Sequence, residues 1–101
     1  MNRTNLNELK ERRLGRMTAA ERAEFDATYA AAKLALSVGE QVRDAREAAG
    51  LSQRALASRM GTSQAAIARL EAGGVGSTLT TLQRVASALE LEVTVHLRPA
   101  I

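Results

Sequence analysis

The sequence predicts a mainly α fold: a small helical bundle that ends in a single β-strand. Three observations lead there. The chain is rich in Ala, with one Pro and only two aromatics, Phe25 and Tyr29. That composition favours helices around a small aliphatic core. Residues suited to helix N-caps recur at Thr18, Ser37, Ser52, Ser63 and Thr78, ahead of helical stretches. After Leu91 the hydrophobic period changes to that of a strand. A chain of 101 residues supports one domain plus an extension. We divide it into an N-terminal helical extension over 1–38 and a domain over 39–101.

The elements follow in order. Asn5–Leu14 places Leu6 and Leu9 on one side of a short helix that Gly15 stops, though its polarity suits disorder in the free chain nearly as well. Thr18 and Glu21 form a capping box that opens an Ala-rich helix to about Leu36. Phe25, Tyr29, Ala32 and Leu36 make one stripe on it, at spacings of 4, 3 and 4. Ser37 and Glu40 repeat the capping box and suggest a new helix from Val38 to Ala49, stopped by Gly50. Whether the two helices break or fuse is left open. Val42, Ala45 and Ala49 face the core of the second.

Ser52–Glu71 is the most informative stretch. Ser52 caps a helix that runs through Met60 and stops at Gly61, which reaches positive φ without a Cβ clash. Ser63 caps the next helix, with Thr62 as its rival. Leu56 points inward, and Ala57 stands where the two helices approach most closely. Ile67 and Leu70 form the buried stripe of the second helix. Gln64, Ala65, Ala68, Arg69 and Ala72 are left on its outer faces. Two short helices joined this way make a helix-turn-helix, whose second helix fits the DNA major groove.

Gly73-Gly74-Val75-Gly76 then forms a loop. It lacks the following Lys of a nucleotide-binding P-loop, so no nucleotide is expected. Its amides suit a loop beside the DNA backbone. Thr78 caps a helix through about Leu89, with Leu82, Val85, Ala86 and Leu89 inward. Glu92–Leu97 alternates polar and apolar residues, with Val93, Val95 and Leu97 on one face, and Pro99 ends it. The chain offers no second strand, and the backbone groups of this one want a partner. The same strand of another copy, antiparallel about a two-fold axis, is the simplest partner and makes these three residues a dimer interface. Pairing with the N-terminal segment, or fraying, is the alternative.

Charge argues by placement rather than amount. The net charge of +3 splits as +2 over 1–38 (seven basic, five acidic) and +1 over 39–101 (seven basic, six acidic). Arg54, Arg59 and Arg69 fall inside the two-helix motif, where Glu71 is the one acidic residue, the local excess expected of a phosphate-binding face. The charged run Lys10–Arg16 reads as a solvated face more readily than as a contact. Zero Cys excludes disulfides and thiolate metal sites and fits a reducing cytoplasm. No apolar run is long enough to span a membrane, and the mixed charges of the N-terminus do not make a signal peptide. One His, no Cys, and no carboxylate or serine constellation around His96 argue against an enzyme. No cofactor or metal is expected.

The motif resembles the Xre/Cro/cI-type helix-turn-helix regulators. Gln53, Leu56, Ala57, Gly61, Ser63, Ile67, Leu70, Glu71 and the run Thr78–Leu89 carry the resemblance, which covers about Val42–Leu97. It implies a lambda-repressor-like domain whose second helix reads bases, beginning at Thr62 and Ser63, with Gln64, Ala65 and Arg69 as the reading residues. The chemistry agrees for two of them. A Gln amide matches the adenine edge and an Arg fork the guanine edge, while Ala65 offers only apolar contact with a thymine methyl. Gln53 and Arg54, opening the first helix of the motif, stand where phosphates are met. The resemblance also implies a structural Arg46–Glu71 pair. The Pro usual near Ser77 is missing, which leaves the loop conformation open.

The segment MTAAERAEFDATYAAAKLA resembles the N-terminal region of HigA-like antitoxins of type II toxin–antitoxin modules. That resemblance implies a partner: a cognate RelE-like, HigB-like ribonuclease toxin held inactive. Phe25, Tyr29 and Leu36 are the candidate toxin contacts, because aromatics are favoured interface anchors. The other reading packs them onto the domain's own core. The combined expectation is an antitoxin that neutralises its toxin and, as a dimer, binds an inverted-repeat operator to repress its own operon. The rival is a transcriptional repressor that stands alone.

Overall fold

The computed structural model describes residues 12, 15–74 and 78–100. The helix expected over Asn5–Leu14, apart from Arg12, most of the run Lys10–Arg16 and the Val75–Gly76 part of the glycine loop lie outside the described residues; Gly15 and Arg16 are themselves helical, so Gly15 is not the stop expected there. The described helices are α1 (Ala19–Ala48), α2 (Gln53–Met60), α3 (Gln64–Glu71) and α4 (Leu79–Ala88). The chain divides between Ala32 and Lys33 into two units.

The first unit holds the start of α1. Thr18 Oγ1 accepts the Glu21 backbone N–H at 3.1 Å, and its hydroxyl donates to Glu21 Oε1 at 3.1 Å. Glu21 in the first turn also suits the positive end of the helix dipole. Phe25 is half-buried and Tyr29 exposed.

The two helices suggested on either side of Ser37 are fused: α1 runs through it. Ser37 acts as an interior residue, its carbonyl O and Oγ accepting from Gln41 Nε2 at 3.3 and 3.4 Å. A cap residue starts a helix only where the preceding turn ends, and no Pro or free glycine ends it here.

The second unit packs the C-terminal part of α1 with the remaining helices. Its core is Val42, Leu56, Ala57, Ile67, Leu70, Val85 and Leu89, with Val38, Ala45, Leu51, Met60, Leu82 and Ala88 packed against it. Leu56 and Ile67 are the most completely buried. Ala49, expected inward, is exposed and lies just past the end of α1 at Ala48. α2 packs on both α3 and α4. Two arginines fasten that stack: Arg59 Nη1 donates to Ala88 O at 3.2 Å, and Arg84 Nη2 to Met60 O at 2.6 Å.

The expected C-terminal β-strand is corrected. No strand occurs among the described residues, and Leu91–Ala100 follows no ladder. A strand needs a second row of donors and acceptors, and none is supplied among the described residues. Val93 is half-buried, and with Val38, Val42 and Leu82 it lines a groove of about 460 Å³. Val95 also lines it, while Leu97 is 96% exposed. No described helix is long and apolar enough to cross a membrane.

Candidate nucleic-acid interface

The site is built from the turn outward. Ser52 Oγ accepts the Ala55 N–H at 3.0 Å and starts α2. Gly61 ends it in the left-handed region, φ 67° and ψ 35°. The Gly61 N–H returns to Ser58 O at 3.2 Å and the Thr62 N–H to Ala57 O at 2.9 Å. That pair of bonds needs φ > 0 at position 61, which Gly supplies without a Cβ clash. Ser63 then starts α3, its Oγ accepting the Ala66 N–H at 3.1 Å, so Ser63 rather than Thr62 is the cap.

The expected residues are distributed as follows. Gln64, Ala65 and Arg69 are exposed on α3, with Ala65 and Arg69 one turn apart on the same face. Ala68, expected on an outer face, is half-buried. Thr62 is half-buried before the helix, and Ser63 is exposed but occupied by its capping bond. Arg54 is exposed at the start of α2. Gln53 faces inward: its Nε2 donates to Glu71 Oε1 at 3.1 Å. Arg59, counted in the basic footprint, is turned to the Ala88 carbonyl.

Glu71 is the hub that orients α3. It is 3% exposed, at the last helical position. Arg46 grips both oxygens, Nε to Oε2 at 2.6 Å and Nη2 to Oε1 at 2.9 Å. Arg46 Nη1 also donates to Leu51 O at 2.8 Å. Arg43, half-exposed, adds a contact at 3.6 Å. Burial pushes the Glu71 carboxyl up, but the bonds from Arg46 and Gln53, the Arg46 charge and Arg43 outweigh it and hold the group below the ordinary carboxylate range. The bond to Glu71 likewise raises Arg46 against the opposing cost of its burial. The carboxylate therefore joins α1, the entry to α2 and the end of α3.

Composition and capping signals single out neither Gly39 nor Arg43. Gly39 is buried where α1 crosses the end of α3: a Cβ there would stand 2.5 Å from Glu71 O and 2.7 Å from Leu70 O. Leu36 lies over Gly73, so this residue of the apolar stripe packs within the second unit. The available signal was spacing. Leu36, Gly39, Arg43 and Arg46 follow intervals of 3, 4 and 3 and share one helix face.

Two capped helices that meet at a left-handed glycine, the second exposing Gln64 and Arg69, define a helix-turn-helix domain, the class that docks a helix in the major groove. The chain belongs to the Helix-turn-helix family, which matches it over residues 42–95. It is similar to y4dL, an uncharacterized HTH-type transcriptional regulator of Sinorhizobium fredii. The two are 42% identical over 67 residues, 63% of this chain and 34% of that relative, so the chain spans well under half of that protein's length. Among solved structures it is similar to the restriction-modification controller protein C.AhdI of Aeromonas hydrophila. There the TM-score is 0.58 at 30% identity, covering 60% of this chain and 88% of that one.

Proposed function

We propose that this chain is a sequence-specific DNA-binding transcriptional regulator that represses by occupying an inverted-repeat operator. The observation that carries the reading is the α3 surface, where Gln64 and Arg69 are exposed on a helix whose other side is held by Ile67, Leu70 and Glu71. A rigid helix with two base-reading side chains suits direct readout. Ala65 adds an apolar contact to a thymine methyl. Arg54, with backbone amides at the α2 N-terminus around Gln53 and at the Thr62–Ser63 turn before α3, supplies phosphate contacts that set orientation rather than sequence; the Gln53 and Ser63 side chains stay on Glu71 and on the α3 cap.

The operator reading calls for a dimer. A single motif covers few base pairs, and two related by a two-fold axis read two half-sites about one helical turn apart. Val93, Val95 and Leu97 are the dimer residues, each copy's C-terminal segment pairing with the other's and covering the adjoining groove. The exposure of Val95 and Leu97 favours this.

A second reading adds an antitoxin role. Residues 1–38 carry it, the remainder forming the DNA-binding domain. Tyr29 is 53% exposed on α1, a side chain suited to a cognate RelE-like ribonuclease toxin, with Phe25 and Leu36 as the other candidate contacts in the sequence. The stand-alone repressor fits the same geometry of α3 equally well.

One experiment tests the core of the proposal. The full chain is incubated with a library of random-centred duplexes, and retained molecules are sequenced over several rounds. Enrichment of an inverted repeat is expected; an unenriched library refutes the proposal. Co-purification with the small protein encoded beside it, if there is one, separates antitoxin from stand-alone repressor.

A further inference from the structure

We infer that Gly39 is a positioning residue for base reading: α1 is a backstop that sets where α3 stands against α2, and only a glycine lets it come close enough. This rests on the DNA-reading proposal and adds a determinant outside the two-helix motif.

The geometry points to it through a single stripe of α1. Leu36, Gly39, Arg43 and Arg46 all meet the C-terminal end of α3 or the residue after its cap. Leu36 covers Gly73, Gly39 abuts the Leu70 and Glu71 carbonyls, and Arg43 and Arg46 reach the Glu71 carboxylate. The end of α3 is thus held at its main chain and at its side chain by one helix face.

The two grips differ in how they yield. An ion pair between flexible side chains can follow a shift of a few tenths of an ångström. A Cβ at 2.5 Å from one backbone carbonyl oxygen and 2.7 Å from another cannot be accommodated without moving a helix. Helix main chains do not deform locally to take such a contact, so α3 moves as a unit. Its far end carries Gln64, and Arg69 lies within one turn of the clash. A bidentate base contact depends on placement to a fraction of an ångström, whereas phosphate contacts from long side chains tolerate such a shift.

The test uses Gly39→Ala in the full chain with two probes: the duplex enriched by the wild type, and a scrambled duplex of the same length and composition. Far-UV circular dichroism confirms that the variant is helical. The ratio of affinities, enriched over scrambled, is expected to fall about tenfold, with affinity for the scrambled duplex changing less than about twofold. A merely structural role would lower both together. An unchanged ratio, or a parallel loss on both probes, overturns the inference. If Gly39→Ala does not fold, Leu36→Ala is measured in the same way. It loosens the same stripe without a clash, and a ratio lowered about threefold supports the inference while an unchanged one overturns it. A wild type that enriches no sequence refutes the DNA-reading proposal itself. A wild type that enriches one, beside a variant that keeps the ratio, refutes only the role of Gly39.

Discussion

Glu71 ends α3 with its carboxylate held in a fork by Arg46, Nε to Oε2 at 2.6 Å and Nη2 to Oε1 at 2.9 Å. The side chain of Glu71 is fully buried and that of Arg46 is 11% exposed. Neither charge can be left alone in such a place. Removing one partner of a buried pair costs far more than the pair contributes, because the survivor keeps its desolvation penalty. Arg46→Ala is therefore expected to lower the unfolding free energy by about 3–5 kcal/mol, measured by urea denaturation. Arg46→Lys should recover only part of it, since one ammonium cannot meet two carboxylate oxygens and the Leu51 carbonyl together. A loss below about 1 kcal/mol, the range of exposed pairs, would contradict this account.

The same pair sets an acid limit. Glu71 is held below its ordinary pKa in the folded state. Between that lowered value and about 4.3, where a free Glu titrates, the unfolded chain binds a proton that the folded chain does not. Stability therefore rises with pH across this window, is full above it, and is lost as pH falls through the folded value. Urea midpoints taken from pH 6 downward should drop more steeply below about pH 4 for the wild type than for Glu71→Gln. Parallel curves would show that Glu71 is not the sensitive group.

Much of this fold was legible because local chemistry and packing agree. Ser52, Gly61 and Ser63 each do what their types predict, since a cap or a left-handed turn is a property of a few adjacent residues. Leu56, Ile67 and Leu70 are buried as their spacing requires, and the Arg46–Glu71 pair forms as the resemblance implied. The misses are non-local. The capping pattern at Ser37 left a break or a fusion open, and α1 runs through it. Glu92–Leu97 alternates like a strand, but a ladder needs a partner, and the described residues contain none. Gln53 is polar at a helix start, and only the arrival of Glu71 turns it inward. The importance of Gly39 depends on which backbone lies opposite, and spacing alone names no neighbour.

Arg69 and Arg54 should separate specificity from affinity. Both are exposed, but one lies on the α3 surface and the other at the entry to α2. Arg69→Ala is expected to cost about 1–3 kcal/mol of discrimination at one position of each half-site. Arg54→Ala should weaken every duplex alike and flatten the dependence of log affinity on log salt by about one. Fluorescence anisotropy with enriched and scrambled duplexes at several salt concentrations reads both. Uniform weakening by Arg69→Ala would remove it from the base-reading set.

Truncation after Leu91 removes Val93, Val95 and Leu97 and leaves α1–α4 intact. The helical core lies outside the deleted segment, so the truncated chain should stay folded. Light scattering is expected to give a monomer where the full chain gives a dimer. Operator affinity should then fall steeply with little change in the affinity of each motif for a single half-site, because the second motif loses its effective concentration. A dimer that persists would place the interface on another face.

The antitoxin reading turns on Phe25 and Tyr29, the chain's only aromatics, which stand on α1 ahead of the DNA-binding domain. Aromatic anchors commonly cost more than about 2 kcal/mol each when truncated in an interface. If they grip a toxin, replacing both by Ala should reduce capture of the coexpressed toxin at least tenfold, by about 1.4 kcal/mol or more. Affinity for the enriched duplex should change little, because its proposed contacts lie in α2, α3 and the turn between them. If they only support the fold, both measurements and the melting temperature should decline together. Pull-down, anisotropy and thermal denaturation on the same double variant therefore distinguish an interface from a packing role.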